Sequence, residues 1–266
     1  MFLGTIHGME KVFQTEPPEG SIILVIGGAG TLKSAFTYNL ISNYLRERKD
    51  SLDQAIYVTL EETRASLLSN IKSLGIKPTE RVLISDIASF MREFEYWSEN
   101  LTTEKDYVSL ILEKASRPLN IYNRFDYNDL DFSRPSNRDG PTGAHEDGLP
   151  EPAMRPTIFV LDSLNALSSI VYRSIRNVRK EMNNFMFKLR EKGVTSFILM
   201  EIGDPNIHRA EYFLVDGIIE LGITGAKHDR HKRYLKVHKM RSTKHSIEPF
   251  LIDVNEGGIM IVDELI

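Results

Sequence analysis

Residues 27–34 read Gly-Gly-Ala-Gly-Thr-Leu-Lys-Ser and follow directly on the apolar run Ile22-Ile23-Leu24-Val25-Ile26. Glycines at 27, 28 and 30 strip side chains from a stretch whose backbone N–H groups can then converge on an anion. The Lys-Ser pair adds an ammonium for phosphate oxygens and a hydroxyl for a divalent cation. Strand, glycine loop, Lys-Ser and helix follow one another in the order of a phosphate-cradling loop of the form G-x-x-x-x-G-K-[ST], with Gly27 as its first glycine. Leu32 stands where that form has its second. A side chain there either distorts the loop or packs outward on a backbone that favours glycine, and the spacing leaves both open. In the phosphate-binding reading, the backbone of Gly28, Ala29, Gly30, Thr31, Leu32 and Lys33 surrounds the phosphates. Lys33 then reaches the β- and γ-phosphates and the Ser34 hydroxyl ligates Mg²⁺. The bland reading is a glycine-rich turn without chemistry.

Four further groups could serve that loop. Asp162 ends the apolar run 157–161, where a carboxylate can hold the water shell of Mg²⁺; otherwise Asp162-Ser163 is a helix cap. Glu61 and Glu62 follow a second strand-like run, at the strand end where ligands of open α/β sheets bind. One of them could orient an attacking water, or both could simply open a helix whose dipole favours acids. Residues 227–244 hold eight Lys/Arg against the single acid Asp229. That stretch suits nucleic acid, a cation supplied across a subunit boundary, or a solvated hairpin. Glu201, ending another apolar run, reads equally as a sensor carboxylate or a strand-end cap.

The elements that must position these residues follow from periodicity. Strands are expected at about 21–26, 55–60, 81–85, 157–161 and 196–200, with shorter ones at 218–221, 234–238, 250–252 and 259–262. Helical spacing marks 35–48, a stretch from Thr63 to a C-cap at Gly75, parts of 87–117, and 178–191 closed by Gly193. Residues 1–20 hold a partly amphipathic turn or short helix before the break at Pro17-Pro18. Strands alternating with helices over the first two thirds imply a mostly parallel sheet with helices on both faces, and the shorter strands suggest an antiparallel extension. Residues 118–156 concentrate proline, Gly, Asp and Asn with little periodicity, and read as a flexible insertion suited to a protein partner. The aromatics within 121–132 could dock on the domain or on a neighbour.

Composition sets the outer bounds. The chain has 266 residues, a formal net charge of -4 and no cysteine, which excludes a disulfide framework or cysteine metal site. The acidic balance disfavours nucleic acid as a global partner. No apolar run approaches the roughly 20 residues of a membrane span, so a soluble, cytoplasmic protein is expected.

Taken in order, the motifs resemble the KaiC-like branch of the RecA-type P-loop ATPases, over nearly the whole chain apart from about 118–156. GGAGTLKS is similar to that family's phosphate loop, YVTLEE to its tandem glutamates and VLDSLNAL to its metal-side strand. EKGVTSFILME and LVDGIIEL match the next two strands, and KVHKMRSTKHSIEPFLI a hairpin whose lysine and arginine reach a neighbour's nucleotide. The resemblance implies a single RecA-like domain over 1–266 that binds ATP and Mg²⁺, the metal held by Ser34 and, through water, Asp162. It further implies catalytic carboxylates at Glu61 and Glu62, Lys239 and Arg241 acting in trans, and a homo-oligomer, typically a hexameric ring. Departures are Leu32, Ser242 in place of the glycine after Arg241, and the insertion. The chain has one such domain where the family's circadian clock member has two, so the resemblance does not imply a clock role. Slow ATP hydrolysis with a regulatory or signalling use is the expectation. The alternatives are a nucleotide-gated scaffold with little turnover and a recombinase-type DNA-binding ATPase.

Overall fold

The computed structural model describes residues 1–49, 51, 53–86, 155–167, 178–202, 212–224 and 231–265. In chain order the elements are α1 (Met9–Val12), β1 (Ile22–Gly27), α2 (Lys33–Glu47), β2 (Asp53–Thr59), α3 (Arg64–Ser73) and β3 (Val82–Asp86). There follow β4 (Arg155–Asp162), α4 (Val178–Glu191), β5 (Thr195–Glu201), β6 (Gly217–Ile223), β7 (Arg233–Met240), β8 (Phe250–Asn255) and β9 (Gly258–Glu264). The helix expected within 87–117 and nearly all of the expected insertion lie outside the described residues. The insertion's far boundary moves, because Arg155 and Pro156 already belong to β4. They pair there with the edge of β2 at Asp53 and Gln54.

The nine described strands form one sheet in the order β3-β2-β4-β5-β1-β6-β7-β8-β9. From β3 to β6 every pairing is parallel, and β6 to β9 form the antiparallel extension. The sequence of β1 explains its central place: all six residues are buried, as a parallel strand covered on both faces requires. Alternate residues feed two cores. Ile23, Val25, Tyr57, Val160 and Leu199 face α2 and α3, whereas Ile22, Leu24, Ile26, Leu161 and Ile198 face Phe185, Met186 and Leu189 of α4. Each fully buried side chain of this size contributes about 1.5–3 kcal/mol.

Two local solutions fix the elements beside the site. Thr63 caps α3 by accepting a hydrogen bond from the Ser66 amide. On α2, buried Asn39 accepts from the Ile259 amide at 2.7 Å, clasping the helix to β9, where a Cβ on Gly258 would meet that same amide oxygen at 2.4 Å. The N-terminal segment completes the α2-side core, since Phe2 and Phe13 stack at 4.6 Å between centroids and Phe2 also meets Phe197.

Candidate functional site at the C-terminal edge of the sheet

Strand register brings the tips of four central strands into line. Thr59 pairs with Asp162, Asp162 with Leu199, and Gly27 with Glu201. The phosphate loop after β1, the glutamates after β2 and the carboxylate ending β4 therefore share one edge. This is the crevice in which open α/β sheets hold ligands.

The loop has the shape its glycines suggest. A Cβ on Gly27 would collide with the Leu221 carbonyl oxygen at 2.2 Å, so this glycine is needed for close packing. Gly28 and Gly30 face open space, and Gly30 has a φ of 74°. Thr31 braces the turn by donating to the Gly28 carbonyl at 2.8 Å, and the Lys33 ammonium donates to the carbonyls of Gly27 and Gly28 at 3.0 and 2.9 Å. Leu32 adopts the left-handed conformation, φ 71° and ψ 25°, with its side chain packed against the α2-side core. It packs away from the loop mouth while its backbone takes the glycine-like conformation, at a cost of about 1–2 kcal/mol. Leu32 gives α2 no side-chain cap, and the first turn carries no acid, so the N–H groups there are open to an anion.

Asp162 is 4% exposed and accepts a hydrogen bond from the fully buried Tyr57 hydroxyl at 2.6 Å. The Ser34 hydroxyl also favours its charged form. Burial raises the Asp162 carboxyl above the ordinary aspartate value, the two hydroxyls pull it back, and the charges of Glu61 and Glu62 push it up further. Burial and the adjoining Asp162 also hold the Tyr57 phenol far above its ordinary value, so it is a protonated donor. The Asp162–Ser163 peptide is cis. Ser163, not Asp162, is the residue that caps: its hydroxyl accepts from the Ala166 amide at 3.3 Å.

The two glutamates part company. Glu61 is exposed and its carboxylate accepts from the Ser163 hydroxyl, next to Asp162. Glu62 accepts from the Ser66 hydroxyl at 2.6 Å and the Asn70 amide at 3.1 Å, which draws it onto α3. At the tip of β5, Asn165 clamps the backbone of Glu201, accepting from its amide at 2.7 Å and donating to its carbonyl.

Lys239 and Arg241 lie at the opposite edge. Lys239 pairs with Ile218, which pairs with Leu24 near the start of β1. The Arg241 amide donates to the Asp216 carbonyl, and the Asp216 carboxylate accepts from the Ile22 amide. From Ile22 to Gly27 is about 17 Å of extended chain. Lys239 donates to the carbonyls of Tyr212 and Val215 at 3.2 and 2.6 Å, and burial together with the nearby Arg241 lowers its pKa. Arg241, 56% exposed, pairs with Asp216 at 3.3 Å, as does Arg190. These cations are tethered, unlike those of a freely solvated hairpin, and they are remote from their own phosphate loop.

The residues present fit a nucleotide with Mg²⁺. The open faces of Gly28 and Gly30 leave room for phosphates, and a hydroxyl beside a buried carboxylate is the donor set expected of a hard cation. Among the described residues no group of three or more His, Cys, Asp or Glu side chains could cage a metal. Sequence reasoning missed Tyr57, Asn165 and Asp216. Each lies inside a motif already singled out, but its partner is on another strand. Only Ser163 carried a signal, as a candidate cap. Among the described residues no helix is long and apolar enough to cross a membrane.

A parallel sheet of this order with a phosphate loop after β1 and a carboxylate ending β4 defines a RecA-type P-loop ATPase. The family model of the KaiC ATPase matches residues 4–111 and 152–266, and the chain belongs to that family of ATP-binding ATPases. A UPF0273 protein of Pyrococcus furiosus is 25% identical, over 96% of this chain and 91% of its own. The circadian clock protein KaiC2 of Synechocystis is 24% identical over 98% of this chain but only 40% of its own length. Among solved structures, a KaiC-like protein of Pyrococcus horikoshii superposes with a TM-score of 0.69 at 21% identity, covering 98% of both chains, and shares the fold.

Proposed function

We propose that this chain is a single RecA/KaiC-like domain that hydrolyses Mg·ATP slowly within a homo-oligomer and serves a regulatory or signalling role. The observation that carries the reading is a buried Asp162 at the strand tip that shares one sheet edge with an open glycine loop leading into Ser34. In this reading the N–H groups of residues 28–33 hold the phosphates. Lys33 exchanges its two loop carbonyls for β- and γ-phosphate oxygens. Ser34 and, through water, Asp162 would hold Mg²⁺, which would supply charge neutralisation. Glu61, exposed at the same edge, orients a water for in-line attack and accepts its proton. Lys239 and Arg241, too far from their own loop, act at the site of the next subunit and stabilise the charge that develops there. Relatives named as circadian clock proteins support a regulatory use of the turnover.

Titration of ATP into the wild type and Lys33→Ala tests the assignment. Binding lost in the variant is expected, and equal affinity overturns it. Phosphate release by the wild type, above that of a Glu61→Gln, Glu62→Gln double variant, separates hydrolysis from nucleotide gating without turnover.

A further inference from the structure

Tyr57 sits in β2 opposite Val160, two positions before Thr59 meets Asp162. Side chains two apart on a strand share a face, so Tyr57 and Asp162 both project toward α2, which carries Ser34 in its first turn. The phenol ring leans diagonally along the sheet and places its hydroxyl 2.6 Å from the Asp162 Oδ2. The Tyr38 ring of α2 packs on it at 5.9 Å between centroids, tilted by 51°, which holds it from the helix side. Every other part of Tyr57 is apolar core with no exposure, which phenylalanine would fill equally well. Its hydroxyl donates to Asp162.

We propose that Tyr57 is a positioning residue for the Mg²⁺ site: its hydroxyl fixes the Asp162 carboxylate so that it faces Ser34 and the metal's water shell. The proposal rests on the Mg·ATP reading above. A buried carboxylate with two like charges nearby has reason to turn. A neutral donor that cannot leave removes that option without competing for the metal. With Oδ2 occupied by the phenol, the remaining lone pairs are directed to Ser34 and to bound water. A tyrosine suits this task better than a cation, which would neutralise the charge the metal needs.

The test measures binding of a fluorescent ATP analogue to wild type and Tyr57→Phe, in Mg²⁺ and in EDTA, with thermal melts as the check on folding. The expected result is metal-free affinity unchanged and the Mg²⁺-dependent gain reduced about tenfold, because a hydrogen bond to a charged group is lost. In an Asp162→Asn background the same substitution should then have no effect on the metal dependence. An unchanged Mg²⁺ gain in Tyr57→Phe overturns the proposal alone. Equal losses with and without metal also overturn it, showing the hydroxyl to be a packing element. Wild-type protein that binds no ATP overturns this proposal together with the reading beneath it.

Discussion

The Ser163 hydroxyl donates to the carboxylate of Glu61, one residue from Asp162, while Glu62 is taken up by Ser66 and Asn70. Two adjacent carboxylates of the same type thus have different surroundings. Glu61→Gln should lower phosphate release by about 10²- to 10⁴-fold, the usual worth of a positioned base, and Glu62→Gln by less than about tenfold. A single-turnover phosphate assay on both variants checks the order, and the reverse order would assign the water to Glu62.

Leu32 already has the φ and ψ of a loop glycine. Leu32→Gly should therefore leave ATP affinity within about twofold of wild type, as substitutions without a new mechanism do. Leu32→Val, a β-branched side chain in the left-handed region, should cost about 1–3 kcal/mol in urea unfolding. A large gain in affinity on Leu32→Gly would show that leucine does distort the loop.

Arg241 and its own phosphate loop lie at opposite ends of β1, so complementation between subunits distinguishes action in trans from action in cis. Neither Glu61→Gln nor Arg241→Ala should release phosphate alone. A random equimolar mixture should recover about a quarter of the wild-type rate, because that share of head-to-tail interfaces joins an intact Glu61 to an intact Arg241. No recovery, in a mixture that sizing shows to be co-assembled, would place the arginine's action within its own subunit, and full activity of Arg241→Ala alone would place it outside the reaction.

Glu220 anchors the β6–β7 pairing by accepting from Tyr234 at 2.7 Å and from His238. Burial alone would raise its carboxyl, but the bonds from His238 and Tyr234 outweigh burial and leave it below the ordinary 4.5. A depressed folded value means that its stabilisation is complete above about pH 4.5 and is lost as pH falls through the lower folded value. Glu220→Gln should melt below wild type at about pH 7, and the gap should close toward about pH 3. A gap that widens on acidification would reverse the sign.

Much of this architecture is legible along the chain. Glycine spacing, the alternation of strands with helices and the closing glycines locate nearly every described element, and α4 spans the residues its periodicity indicates. These signals are local: they depend on neighbours within one turn or one strand. The Tyr57–Asp162 bond and the Asp216 cluster join strands that are far apart in sequence, so no spacing rule encodes them. The tandem glutamates are read as equivalent because their difference lies in Ser163 and α3. Likewise, the depth to which Phe2 and Phe13 sink depends on a core face built by distant strands.

The separation of the phosphate loop and the Lys239–Arg241 pair onto opposite edges gives each subunit a direction. In the proposed action in trans, repeated head-to-tail contacts set each subunit's cation edge beside the next one's loop edge. An open chain built that way ends in one loop that no neighbour serves. Under that proposal closure gives every nucleotide a partner's cations, so full occupancy of working sites and the closed state of the assembly would be the same event.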